Sequence, residues 1–227
     1  MNSPDAVEAA LLSRRSVRGF LSRPVPQALI ERLLMLAARA PSGTNVQPWH
    51  VHVLQGDALR RFSEALVAAH FTDPQPSAPD YSYYPAEWRD PYLARRRKVG
   101  WDLYGLLGIA KGDKEAARRQ HGRNYTFFGA PVGLIVTFDR DMGSGAFMET
   151  GMFLQALMIA ARAHGLDTCP QAAFVPYAPI IREQLGIGDD QLVACGMALG
   201  YADPDEPANQ LVTEREPVSN FARFLDA

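Results

Sequence analysis

The chain has 227 residues and a formal net charge of -2, and 47% of its residues are hydrophobic. These values are typical of a globular protein with one large domain or two small ones. The slight negative charge argues against a nucleic-acid-binding protein. The only two cysteines, Cys169 and Cys195, provide neither a disulfide framework nor a metal site.

The N-terminal residues argue against a targeting signal. The first ten residues lack the basic and then apolar pattern of a signal peptide. No apolar run in the chain approaches the roughly 20 residues that a membrane-spanning helix needs. We therefore expect a cytoplasmic protein that has no membrane or nucleic-acid partner.

The first polar motif follows a short predicted helix over residues 6–12. Residues 14–20 read Arg-Arg-Ser-Val-Arg-Gly-Phe. Arginine presents a planar fork of N–H donors that matches phosphate oxygens, so the motif is a candidate anion site, and a solvated basic turn is the alternative. The candidate ligands are Arg14, Arg15, Ser16 and Arg18.

A second polar motif separates a predicted helix from a predicted strand. Apolar spacing predicts a helix over residues 27–39, and alternation predicts a half-buried strand over residues 49–54. Between them, residues 41–49 read Pro-Ser-Gly-Thr-Asn-Val-Gln-Pro-Trp, and the prolines exclude a helix. The amide and hydroxyl groups suit the edge of a planar heterocycle, while an ordinary polar turn is the alternative.

An aromatic, proline-rich segment follows a predicted helix over residues 57–70, for which Asp57 is the expected N-cap. Residues 71–92 predict an ordered loop, which either covers a binding site or packs its own rings on the surface. Residues 93–107 predict a helix, and we interpret its basic run, residues 95–98, as a solvated face or a subunit contact. The rings of the loop are Tyr81, Tyr83, Tyr84, Trp88 and Tyr92.

The second half of the chain carries the strongest core signals. Asp113 is expected to cap a helix that runs towards Tyr125. Continuous apolar runs predict buried strands over residues 132–138 and 191–199. Residues 147–164 predict a helix that is apolar almost all round, so we expect it to be buried on all sides, in the domain centre or at a dimer interface.

The remaining segments complete a single predicted domain, residues 1–227. Gly165 fits a left-handed C-cap, and residues 179–185 predict a short helix. The small pair Ala172 and Ala173 would let the backbone approach a flat ligand. The proline-punctuated tail, residues 201–227, is expected to pack on more than its own subunit.

Together these motifs resemble the nitroreductase family, the dimeric FMN-dependent NAD(P)H oxidoreductases. The long aromatic insertion, residues 71–125, is similar to the branch of the family that acts on nitrobenzoates and nitrophenols. The resemblance rests on residues 14–20, residues 40–49, Phe-Gly-Ala-Pro at 128–131, the apolar helix before Gly165 and Leu166, Cys-Pro-Gln at 169–171, Gly200 and Tyr201, Asn209, and Arg-Glu-Pro at 215–217.

The resemblance implies an α+β fold with a central, mostly antiparallel sheet flanked by helices. It further implies an intertwined homodimer in which a C-terminal arm, residues 201–227, crosses to the partner. The implied function is FMN-dependent reduction of nitroaromatic or quinone-like substrates by NAD(P)H in a ping-pong mechanism. The alternatives are a flavin-fragmenting or dehalogenating enzyme on the same scaffold, and a non-catalytic FMN-binding protein. The choice of NADH or NADPH, the physiological acceptor and the role of Cys169 stay open.

Residue roles also follow from the resemblance, and they include no protein nucleophile and no metal ligand. The implied ligands of the FMN phosphate are Arg14, Arg15, Ser16, Arg18 and Arg215. Many relatives have a second basic residue just before this arginine, whereas this chain has Val212-Thr213-Glu214 there, so Arg215 would bind the phosphate with less help. The implied contacts of the flavin ring and ribityl chain are Pro41, Ser42, Asn45 and Gln47 from the other subunit, Asn124, Pro170, Gln171, Ala172 and Ala173. The implied substrate contacts are Tyr81, Tyr83, Tyr84, Trp88, Phe127 and Phe128.

Overall fold

The computed structural model of the chain describes residues 3–72 and 79–225. These residues form seven α-helices and four β-strands. The helices are α1 (Ser3–Ser13), α2 (Gln27–Ala37), α3 (Gly56–Thr72), α4 (Tyr92–Leu106), α5 (Lys114–Gly122), α6 (Gly145–Ala163) and α7 (Ala178–Leu185). The strands are β1 (Trp49–Gln55), β2 (Val132–Asp139), β3 (Asp167–Gln171) and β4 (Gln191–Gly200).

The strands form one antiparallel sheet in the order β1-β2-β4-β3, which confirms the predicted sheet type. The apolar strands β2 and β4 lie in the centre, where both of their faces are covered. At the edge, β3 contains Pro170, which lacks an N–H for strand pairing and is therefore suited to an edge strand.

Helices cover both faces of the sheet, so successive residues of β2 enter different cores. Leu134 packs with Leu33 of α2 and Leu157 of α6. Ile135 belongs to a second core on the other face, which includes Phe62 of α3. This alternation explains why the sequence of β2 is apolar at consecutive positions.

The apolar helix α6 is buried on one side only within a single chain. Phe153 and Leu157 lie in the core, whereas Met148 is 68% exposed. The single chain therefore does not place this helix in the domain centre, and its burial at a dimer interface stays a prediction. Although α6 is apolar, no helix in the described part of the chain is long and apolar enough to cross a membrane.

The helix starts around the aromatic insertion were predicted with mixed success. The N-cap role of Asp113 is confirmed, because its Oδ1 accepts a hydrogen bond of 2.9 Å from the N–H of Ala116. Asp57 is not an N-cap, since α3 already begins at Gly56. The helix after Asp113 ends at Gly122 and continues as a tighter 3-10 turn over Arg123–Gly129.

Candidate functional site

The N-terminal segment of residues 14–18 contributes side chains to two different cavities. The first, of about 760 Å³, is lined by Arg14, Arg15 and Arg215, and we call it the arginine cavity. The second, of about 580 Å³, is lined by Arg18 and by residues 169–173 at the end of β3, and we call it the strand-end cavity. The one polar motif therefore supplies cations to both cavities.

The sheet edge holds this segment in an extended form. Ser16 bridges to Thr168 of β3, and the N–H of Val17 donates to the carbonyl of Thr168 at 3.1 Å. Val17 is fully buried in the core. Because Val17 fixes the centre of the segment, the arginines before and after it are directed to separate cavities.

Charge in the arginine cavity is mainly uncompensated. Asp167 is its one lining carboxylate among the described residues, and it pairs with Arg162 at 2.9 Å. Arg14 and Arg15 form no ion pair within the described part of the chain. The Arg215 guanidinium donates to the backbone and hydroxyl oxygens of Thr213. The cavity thus has an excess of positive charge that suits a phosphate dianion.

A turn in the tail, Pro207–Gln210, fixes the backbone beside Arg18. The buried side chain of Asn209 accepts from the N–H of Arg18 at 2.7 Å and donates to the carbonyl of Gly19 at 2.8 Å. A Cβ at Gly19 would lie 2.2 Å from Cγ of Glu206, so only glycine allows this approach. Glu206 in turn pairs with Arg123 at 2.7 Å, next to Asn124.

Two amide side chains meet in the strand-end cavity. Nε2 of Gln171 donates to the backbone carbonyl of Asn124 at 2.8 Å and to its side-chain oxygen at 3.2 Å. Gln171 is 3% exposed, and its Oε1 has no hydrogen-bond partner among the described residues. A buried acceptor without a partner is costly, so a ligand that donates a hydrogen bond would be stabilised here.

These features fit FMN in two respects. The arginine cavity supplies unpaired cations for a phosphate, and the strand-end cavity combines a guanidinium with an unpartnered amide oxygen beside the backbone of residues 170–173. Cys169 adds no charge, since burial raises the pKa of its thiol to about 11, despite the opposing effects of Arg18 and Ser16. It is therefore a neutral, packed side chain near pH 7.

The polar loop of residues 41–47 is not part of either cavity in the single chain. Its Gly43 N–H donates to the buried carboxylate of Glu149 at 2.7 Å, and Gln47 N–H donates to Ser42 Oγ at 3.0 Å. Asn45 and Gln47 have positive φ angles of 63° and 50°. The loop is thus a fixed, largely exposed structure on the α6 side of the chain, and its Pro41 is exposed as well.

The predicted aromatic residues are only partly brought together. Tyr84 and Phe128 line the strand-end cavity. Tyr81 and Tyr83 line an adjoining cavity of about 210 Å³, which shares Pro170, Gln171 and Ala172 with the strand-end cavity. Trp88 lies beside Tyr84, with ring centroids 5.4 Å apart. Residues 73–78 of the predicted insertion lie outside the described residues.

Phe127 is a correction to the predicted substrate contacts. Its ring is fully buried and stacks on Phe174, with centroids 4.8 Å apart. Phe127 and Phe128 both have positive φ angles, which turn two neighbouring rings in different directions. Only the ring of Phe128 therefore reaches the cavity, while Phe127 belongs to the core.

Asp80 fixes the aromatic loop to the main domain. Its carboxylate accepts from Arg182 at 2.7 Å, from Arg140 at 3.0 Å and from the N–H of Val193 at 3.3 Å. Burial tends to raise the pKa of Asp80, but these donors outweigh it and hold the pKa below its usual value. The next residue, Tyr81, donates to the carbonyl of Ala194 at 2.6 Å.

Several cavity residues were not predicted from the sequence. The strand-end cavity also contains His70, His121, Tyr125 and Tyr177. His70 Nδ1 lies 3.3 Å from the Tyr177 hydroxyl, and burial, with the neighbouring His70, lowers the pKa of His121. His121 lies one helical turn before Asn124, so a search by helical spacing from Asn124 would have found it. No sequence pattern points to Asp80.

The sequence is similar to those of known proteins of one family. The model of the Nitroreductase family matches residues 11–201. A 4-nitrobenzoate reductase of Pseudomonas putida is 40% identical over 221 residues, which are 97% of this chain and 96% of that protein. A chloronitrobenzene nitroreductase of Comamonas testosteroni is 38% identical over 219 residues, 96% of each chain.

Solved structures with the same fold extend the comparison. An FMN and NADPH-dependent nitroreductase, NfnB from sphigopyxis sp. strain HMH, has a TM-score of 0.94 and 38% identity, and covers 97% of this chain and 99% of its own. The FMN-dependent nitroreductase NfnB from Mycobacterium smegmatis was solved in complex with NADPH. It has a TM-score of 0.93 and 32% identity, and the match covers 98% of this chain and 99% of that chain.

Proposed function

Because this chain belongs to the nitroreductase family, we propose that it is an oxidoreductase that uses FMN and NADPH to reduce nitroaromatic compounds. The single observation that carries the proposal is the extended segment of residues 14–18, whose arginines line two cavities of matching chemistry. Two enzymes of similar structure support the cofactor assignment. One is described as dependent on FMN and NADPH, and the other is FMN-dependent and was solved in complex with NADPH.

The residues available to hold FMN divide between the two cavities. In the arginine cavity, Arg14 and Arg15 would bind the phosphate, and Arg215 would add charge. Ser16 lines neither cavity, and as the next residue along the segment it would contact the phosphate from beside Arg15. In the strand-end cavity, Arg18, Asn124 and Gln171 would contact the polar edge of the ring. The backbone of Pro170, Ala172 and Ala173 would lie along the ring.

FMN, when bound, supplies the redox chemistry that connects a nicotinamide donor to a nitro acceptor. The protein orients the reactants and stabilises charge. Asn209 fixes the backbone N–H of Arg18, and the guanidinium of Arg18 would stabilise negative charge that develops at the ring edge. The rings of Tyr84 and Phe128 would exclude water and stack on a flat substrate. No nucleophilic side chain is required.

We also propose an intertwined homodimer of single-domain subunits, residues 1–227, in the cytoplasm, where reduced nicotinamide dinucleotides are supplied. Met148 on α6 and Val212 and Phe224 in the tail are 68%, 83% and 83% exposed in the single chain. Burying such large apolar side chains against a partner would be favourable. The partner would then supply the polar loop of residues 41–47 to the flavin, and the arm of residues 201–227 would cross to it.

The test of the function is the visible spectrum of the FMN-loaded protein before and after anaerobic addition of NADPH. We expect the flavin absorbance to bleach, and to return when 4-nitrobenzoate is added. Steady-state rates at several fixed donor concentrations should give parallel double-reciprocal lines, because both reactants use one cavity in turn. A flavin that stays oxidised would contradict the enzyme assignment and favour a binding protein, and intersecting lines would contradict the shared cavity.

Asp80→Asn is expected to raise the KM for nitroaromatic substrates about tenfold, a cost of roughly 1.4 kcal/mol. The change weakens the contacts to Arg140 and Arg182 that hold the aromatic loop. In the wild type, the pKa of Asp80 is lowered, so its stabilising contacts are present at neutral pH and are lost only as the pH falls below the usual range of aspartate.

The matched control for this variant is Asp57→Asn, which changes an exposed aspartate outside the aromatic loop. The FMN dissociation constant should be the same in both variants and the wild type. An unchanged KM in Asp80→Asn across several nitroaromatics would show that the loop does not contribute to substrate binding.

A further inference from the structure

A third cavity, of about 600 Å³, lies between α4 and α5 and is not part of the site described above. Its apolar wall includes Trp101, which is 59% exposed, and Ile109. Its rim carries four cationic side chains. They are Arg96, Arg97, Lys111 and Lys114. We call it the α4–α5 cavity.

Some neighbouring cations on the same helices have carboxylate partners, whereas the cations at this cavity have none among the described residues. On α4, Lys98 pairs with Asp102 at 2.7 Å. On α5, Arg119 pairs with Glu115. Within residues 3–72 and 79–225, by contrast, neither Arg97 nor Lys114 forms an ion pair.

The other charged groups at the rim leave this excess in place. The guanidinium of Arg96 lies over the Trp88 ring, 4.9 Å from its centroid. Asp113 is the lining carboxylate among the described residues, and its Oδ1 is already bound to the N–H of Ala116 as the α5 cap. The cavity therefore combines an apolar wall with unneutralised positive charge.

The α4–α5 cavity adjoins the strand-end cavity. Leu103 and Tyr104 of α4 line both of them, so one turn of this helix forms the ridge between the two. A dinucleotide whose nicotinamide lies in the strand-end cavity would pass over this ridge and extend its other half into the α4–α5 cavity.

We propose that the α4–α5 cavity binds the 2′-phosphorylated adenosine half of NADPH, an inference that rests on the proposed function. The adenine would pack on the indole of Trp101 and on Ile109. The 2′-phosphate would contact Arg97, Lys111 and Lys114, since guanidinium and ammonium groups are strong phosphate donors. The cavity thereby selects NADPH over NADH.

The first test is calorimetry on the oxidised, FMN-loaded protein, with adenosine 2′,5′-bisphosphate and 5′-AMP as probes. We expect the bisphosphate to bind about tenfold or more tightly than 5′-AMP, because each charge-assisted contact is strong. The double variant Arg97→Gln, Lys114→Gln should lose this preference. The matched control, Lys98→Gln with Arg119→Gln, removes one cation from each of the same helices and should keep it.

The second test is the ratio of kcat/KM for NADPH to that for NADH. In the first double variant this ratio should fall about tenfold or more, while the value for NADH changes less than about threefold. Equal binding of the two probes by the wild type, or an unchanged ratio in the variant, would overturn the inference.

Failure of the inference and failure of the proposed function give different results. Normal flavin reduction by either dinucleotide, without selective binding of the bisphosphate, contradicts only the α4–α5 site. Selective binding of the bisphosphate without any flavin reduction supports the site and contradicts the proposed enzyme. Tight binding of inorganic phosphate at the same concentration would identify a general anion site and would also overturn the assignment of adenosine.

Discussion

Replacing Arg14 and Arg15 together by glutamine is expected to raise the dissociation constant of FMN at least about 100-fold. Each charge-assisted hydrogen bond contributes roughly 1.5–3 kcal/mol, and about 1.4 kcal/mol is a factor of ten. The structure offers little compensation, because Arg162 is engaged by Asp167 and Arg215 by Thr213. The measurement is a titration of the apoprotein with FMN, in which the quenching of flavin fluorescence reports binding.

Riboflavin provides the sharpest control for this prediction, because it has the same ring system and lacks the phosphate. Its dissociation constant should be the same in the wild type and in the double variant. A second control, Arg32→Gln with Arg61→Gln, removes two charges from exposed positions of α2 and α3 and should leave FMN binding unchanged. If riboflavin loses as much affinity as FMN, the arginines do not act on the phosphate.

Phe127→Ala is expected to lower the free energy of unfolding by about 3–5 kcal/mol, the usual cost of removing a buried aromatic ring. The ring is fully buried and packs against Phe174 and Phe62 at centroid distances of 4.8 and 6.1 Å. The ring also packs closely against the backbone of β2 at Gly133. A Cβ at Gly133 would lie only 2.7 Å from Cε2 of this ring. Urea denaturation of the apoprotein measures the change.

Tyr84→Ala is the matched control for this stability prediction. The Tyr84 ring is 57% exposed and lines the strand-end cavity. Its removal should cost less than about 1 kcal/mol of stability, as is usual for surface positions, and should change the KM for nitroaromatics. Equal destabilisation by both variants would contradict the assignment of Phe127 to the core.

Local patterns were sufficient for most of the sheet and helices. The continuous apolar run of β2 and the spacing in α2 report burial directly, because the period of each element fixes which side chains share a face. The three arginines within residues 14–18 were visible as a candidate anion motif, with a solvated basic turn as the alternative, and their role as phosphate ligands stays a prediction.

Other features depend on backbone turns or distant contacts that no periodic pattern encodes. The neighbouring rings of Phe127 and Phe128 separate because both residues adopt positive φ angles. The two faces of α6 differ because only one of them meets this chain's own sheet. The α4–α5 cavity is lined by residues of two helices and of the turn between them. In the sequence alone, the cations of α4 therefore looked like a solvated face or a subunit contact.

The tail turn around Asn209 has a consequence for the order in which a working subunit is completed during synthesis. Asn209 fixes the backbone at Arg18 and Gly19, which leave the ribosome 191 and 190 residues earlier. Glu206 fixes Arg123, 83 residues earlier. A nascent chain can form most of the sheet before either contact exists. The backbone beside Arg18 and the Arg123 side chain therefore gain these contacts only after residues 206–209 have been synthesised, so this wall of the strand-end cavity is completed late.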